Sequence, residues 1–117
     1  MTYMLLVVEP RGQRAERTLP EGQEAYARML RYAEDLQARG LLQGANALRS
    51  DDAGARVQVR AGKRAVMDGP FVEAKEMVGG YFLVDCATRE EALALAAECP
   101  AAAWATIEVR EIGTCYE

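Results

Sequence analysis

A chain of 117 residues, half of them hydrophobic, is long enough for one compact core and too short for a second domain to be expected. Its 14 Lys and Arg are dispersed among 18 Asp and Glu, for a net charge of −4, so no basic face for a nucleic-acid backbone is expected. The chain has no histidine, which removes imidazole bases and imidazole metal ligands from any scheme it carries alone.

The run Tyr3-Met4-Leu5-Leu6-Val7-Val8 is β-branched and aromatic-rich and stops at Glu9-Pro10-Arg11-Gly12, so it predicts a first strand. It is too short for a secretory core or a membrane span, and a cytoplasmic location without a membrane partner is expected. From Glu21 to Arg39, Ala25, Tyr26, Met29, Leu30, Ala33 and Leu36 recur at spacings of three and four, the pattern of an amphipathic helix. Thr18-Leu19-Pro20-Glu21 reads as its capping box and Gly40 as its stop. Leu41 to Leu48 is loosened by Gly44, and Ser50-Asp51-Asp52-Ala53-Gly54 reads as a loop.

Arg56-Val57-Gln58-Val59-Arg60, the turn Ala61-Gly62-Lys63 and Arg64-Ala65-Val66-Met67 predict a hairpin. Gly80 to Cys86 predicts another strand. Thr88-Arg89-Glu90-Glu91 opens a helix through Glu98, with Pro100 beyond it, and Trp104 to Arg110 reads as the closing strand. Strand-helix-strand, a hairpin insert and a second strand-helix-strand make a single domain over residues 1–117. The expected class is α+β: a ferredoxin-like split β-α-β with an inserted hairpin, an antiparallel sheet and both helices on one face.

The first strand and Gly80–Cys86 are apolar on both faces: Tyr3, Leu5 and Val7 alternate with Met4, Leu6 and Val8, and Tyr81 and Leu83 with Phe82 and Val84. A helix-free face of that kind calls for a second subunit, so a homodimer enclosing a shared cavity is expected. With Ile107 and Val109 toward the helices, Trp104, Thr106, Glu108 and Arg110 point the other way, and Arg56, Gln58 and Arg60 can join them. Cys86, Cys99 and Cys115 form no C-x-x-C pair and read as reduced thiols. No glycine-rich phosphate loop and no metal-ligand spacing of diagnostic quality is present, so neither a cofactor nor a metal is expected.

The densest chemistry lies in Met67-Asp68-Gly69-Pro70-Phe71-Val72-Glu73-Ala74-Lys75-Glu76, followed by Gly79-Gly80-Tyr81-Phe82-Leu83. Asp68 reads either as a turn cap or as a proton acceptor. Lys75 reads either as one half of an ion pair with Glu73, Glu76 or Asp68, or as a base or anion anchor. Tyr81 is either a core aromatic or an oxyanion donor. Glu73 belongs to the same ionisable set, and Glu108 and Arg110 either pair with each other or meet a ligand.

This motif resembles the signature of the DGPF group of YCII-related proteins, and the likeness extends to the N-terminal Tyr-Met-Leu-Leu, Leu41–Leu48, Glu90-Glu91-Ala92-Leu93 and Ile107-Glu108-Val109-Arg110. The resemblance implies a ferredoxin-like fold assembled as a dimeric α/β barrel, with a His–Asp site in many relatives. Only the aspartate has a counterpart here, Asp68. Ala45-Asn46-Ala47-Leu48 stands where many relatives carry Gly-Glu-Ala-Leu. It also implies an association with sigma-factor pathways.

The expected function is therefore a homodimer binding a small, acidic organic molecule in its barrel cavity. Asp68 would accept a proton in an isomerisation or elimination, Tyr81 would steady an oxyanion, and Lys75 and Arg110 would hold anionic groups. The alternative is a non-catalytic ligand sensor or protein-interaction module.

Overall fold

The computed structural model describes residues 1–116. Four antiparallel strands form the main sheet: β1 (Thr2–Pro10), β2 (Leu42–Ala47), β5 (Glu76–Asp85) and β6 (Thr106–Glu111), in the order β2-β5-β1-β6. β3 (Ala55–Arg60) and β4 (Lys63–Asp68) pair only with each other, as a separate two-stranded sheet. Three helices complete the fold: the single turn α1 (Gln13–Glu16), the long α2 (Leu19–Ala38) and α3 (Arg89–Glu98). The α+β class and the antiparallel sheet follow the sequence reading. α1 is an addition to it.

The ends of α2 show why this segment is helical. The Glu21 N–H donates to Thr18 Oγ1 at 3.3 Å while the Thr18 N–H donates to the Glu21 carboxylate at 2.9 Å, so two otherwise unpaired amides are satisfied at the first turn. Those hydrogen bonds, helped by Arg17, hold the Glu21 carboxyl below its ordinary range. At the other end the chain leaves through Gly40, at φ 72.

The core lies between the helices and one sheet face. Tyr3, Leu5 and Val7 of β1 and Phe82 and Val84 of β5 are buried against Tyr32 and Leu36 of α2 and Ala92, Leu95 and Ala96 of α3. Phe82 meets the Tyr32 ring edge-on at 5.0 Å, and the Tyr32 hydroxyl donates to the Leu95 carbonyl, joining both helices to the sheet. Alternation continues to Glu9, which is 6% exposed and the buried charged residue on the same parity as Leu5.

Two strand assignments differ from expectation. The chain after Pro100 makes a short 3-10 turn, Pro100–Ala103, so β6 begins only at Thr106. Trp104 is therefore not a strand residue on the helix-free face: it packs against the core on the helix side. The β3–β4 hairpin also fails to join the helix-free face, since every one of its strand residues is exposed. No helix among the described residues is long and apolar enough to cross a membrane.

Candidate functional site

The Asp-Gly-Pro-Phe turn is held by residues far from it in sequence. Arg11 donates to both carboxylate oxygens of Asp51, one at 2.9 Å, and through Nε to the Ala74 carbonyl at 2.6 Å. Asp51 accepts in turn from the Phe71 N–H at 3.4 Å, so the amide in this turn is capped by Asp51. Arg11 keeps the Asp51 carboxyl below the usual aspartate range. At Gly69 a Cβ atom would lie 1.8 Å from the Asp51 carbonyl oxygen, so this position needs the absence of a side chain. The motif's glycine serves a docked loop.

The six residues singled out in the sequence fall into two separate regions. Asp68 ends β4 in an exposed position, and its carboxylate has no hydrogen-bond or ion-pair partner among the described residues. Glu73 pairs with Arg56 at 3.0 Å, and the Arg56 guanidinium lies 3.8 Å from the Phe71 ring centroid. Arg56 thus takes the partner expected for Lys75, whose ammonium is exposed and unpaired among the described residues. Tyr81, Glu108 and Arg110 share the helix-free sheet face. Leu6 is opposite both Tyr81 and Glu108, and Met4 is opposite Arg110. The Tyr81 hydroxyl accepts from Asn46 Nδ2 at 2.9 Å, and Arg110 pairs loosely with Glu108 at 3.4 Å.

A broad concavity lies on the other side of the sheet. A cleft of about 670 Å³ runs between α2 and the β2–β5 part of the sheet, a volume suited to a small organic molecule. Leu19, Tyr26, Leu30 and Leu48 line it and are all exposed, while Met29 and Phe82 form its floor side. Of the six residues above, only Tyr81 lines it.

The polar end of this cleft was not visible in the sequence. Glu9 is its one acidic lining residue among those described, and its carboxylate accepts from Arg14 at 2.9 and 2.6 Å. Gly79 makes room for that carboxylate: it is the extra residue where the β1–β5 register shifts, and a Cβ there would lie 1.8 Å from Glu9 Oε1. Arg17 also lines the cleft, half-buried, its guanidinium 5.3 Å from the Trp104 ring centroid, in no salt bridge among the described residues. Gln13, a further lining residue, donates to the Trp104 carbonyl at 2.6 Å and leaves its own buried carbonyl oxygen without a partner.

One signal for Glu9 is available in the sequence, an acid continuing the inward parity of Tyr3, Leu5 and Val7. Its partner is set by tertiary structure. Burial raises the Cys86 and Cys99 thiols above their ordinary range, which suits packing residues and not nucleophiles. No cluster of three metal-ligating side chains occurs among the described residues.

Similarity to known proteins supports the family resemblance carried by the Asp-Gly-Pro-Phe motif. Uncharacterized protein R00369 of Rhizobium meliloti (strain 1021) is 51% identical over 41 residues, 35% of this chain. The chain spans about a third of the length of that curated relative, 33%. The YCII-related domain model matches residues 1–114, essentially the whole fold described above, and the chain belongs to the YCII-related domain family.

Proposed function

We propose that this protein is a homodimer that binds a small acidic organic molecule with an apolar body, and that the molecule occupies the cleft beneath α2. The observation that carries the reading is Arg17: a half-buried cation in an apolar cleft, in no salt bridge among the described residues and with its guanidinium already placed beside Trp104. A carboxylate there gains a charge-assisted contact, and the N-terminal end of α2 adds its positive dipole at Thr18 and Leu19. The exposed Leu19, Tyr26, Leu30 and Leu48 then cover the apolar body. A hydroxyl or N–H on the ligand satisfies the Gln13 carbonyl oxygen.

In this reading, proton transfer in an isomerisation or elimination falls to Glu9, which lines the cleft, whereas Asp68 lies outside it. The dimer is supported by the helix-free face, where Met4, Leu6, Val8, Tyr81 and Leu83 are only half-buried and Val78 is 43% exposed.

Thermal denaturation of the whole chain with hexanoate, octanoate, decanoate or phenylpropanoate, against the matching amides, tests the ligand class. A bound acid at a hundred times its Kd adds about 2.7 kcal/mol of stability. The acids are expected to raise the midpoint and the amides to leave it unchanged, with the acid response lost in Arg17→Ala. Equal responses to acid and amide, no response at all, or an undiminished response in Arg17→Ala overturns the assignment.

A further inference from the structure

The β3–β4 hairpin is fastened to the body at its base, through Arg56, Phe71 and Glu73, and every one of its strand residues is exposed. We propose that it is an arm that clasps a second copy of this chain, laying Val57, Val59 and Val66 on the helix-free face of the partner's sheet. The inference rests on the dimer reading above and names the element that holds the dimer together.

The first argument is apolar. Val57 is opposite Val66 across the hairpin and Val59 shares their parity, so one face presents three branched side chains at 60%, 60% and 51% exposure. A two-stranded ribbon is marginal in water unless something covers such a face. No described residue of the same chain does.

Charge identifies the cover. Residues 55–68 hold four of the chain's 14 cations, Arg56, Arg60, Lys63 and Arg64, and one of its 18 acids, Asp68, leaving the remainder with ten cations against seventeen acids. Two arms repel each other, whereas an arm and the body of another copy attract. The helix-free face has the matching composition: Met4, Leu6, Val8 and Leu83 at its centre, and Glu76, Asp85 and Glu108 at its borders against Arg110 and the N-terminal amine. An arm from each subunit reaching the other's sheet makes an isologous contact, in which both apolar surfaces are covered by one symmetric exchange.

Lys63 flanks the arm's turn and is one of only two lysines, which makes the arrangement readable by zero-length carbodiimide cross-linking. In mixed 14N and 15N protein, mixed-isotope links from Lys63 to Glu76, Asp85 or Glu108 are expected. Val57→Asp with Val59→Asp, at positions exposed in the single chain, is expected to keep the circular dichroism spectrum and to raise the dimer dissociation constant by on the order of a hundredfold, the scale of an interface hot spot. A wild-type dimer that survives the double substitution and gives no mixed-isotope Lys63 link overturns the arm and leaves the dimer standing. A chain that sediments as a monomer at every concentration overturns both, while the thermal denaturation with carboxylates above still judges the cleft on its own.

Discussion

Glu9 and Arg11 stand two residues apart at the end of β1, and each makes an arginine–carboxylate pair with a different consequence. The Arg11–Asp51 pair is tied into main chain on both sides, through the Ala74 carbonyl and the Phe71 N–H. Those bonds fix one loop against another. The Glu9–Arg14 pair has no such backbone ties, and it faces a cleft. The difference separates a clamp from a site: an ion pair tied to backbone at both ends holds the fold, and one open to a cavity is available to a ligand.

The comparison breaks most visibly at the two glycines that make room for these pairs. At Gly69 the obstacle to a side chain is the Asp51 carbonyl, a backbone atom that cannot move without dislodging the loop from 50 to 54. Gly69→Ala is expected to destabilise by roughly 2–3 kcal/mol, in the upper range for overpacking. For a domain of this size that lowers Tm by on the order of 10 °C, measurable by calorimetry or circular dichroism. A loss no larger than that of a surface substitution would show that the turn is not clamped.

A second test of the clamp uses pH. Because Arg11 and the Phe71 amide depress Asp51, the pair contributes stability above the ordinary aspartate pKa, and that contribution is lost as pH falls through the depressed value. Stability should therefore fall with acid below about pH 4, where unfolded aspartates begin to take up protons. Glu73, held low by its hydrogen bonds and Arg56, and Glu21 act with the same sign, so Asp51→Asn is expected to flatten the acid limb of a Tm-against-pH series without abolishing it. The same substitution lowers Tm at neutral pH. An acid limb unchanged in Asp51→Asn would remove the clamp from the account.

The clamp and the cleft also differ in how far they can be read from sequence. Local rules suffice for the helix start, where Thr18 and Glu21 are three residues apart and make both capping bonds, and for the hairpin turn at Ala61-Gly62. Arg11 and Asp51 are forty residues apart and share no local signature, so the Asp-Gly-Pro-Phe turn drew attention to Asp68 while its cap came from elsewhere. Trp104 was misplaced because an alanine run after Pro100 gives no periodicity to separate a 3-10 turn from a strand. Glu108 and Arg110 fall on the helix-free face as their parity predicts, because strand parity is a local property. The cleft depends on α2 standing off β2, and no pattern along the chain encodes that spacing.

At Gly79 the obstacle is the Glu9 carboxylate and the Arg14 guanidinium behind it, the movable ends of two side chains beside open space. Gly79→Ala is therefore expected to cost no more than about 1 kcal/mol of stability, the low end of overpacking. The displaced carboxylate must turn into the cleft or away from Arg14, and either movement puts negative charge nearer to Arg17. Affinity for an acidic ligand should then fall by about tenfold, which corresponds to roughly 1.4 kcal/mol. Calorimetric titration with octanoate beside a melting curve separates the two quantities. A large drop in Tm with unchanged affinity would make Glu9–Arg14 a second clamp, and the distinction between the two ends of β1 would disappear.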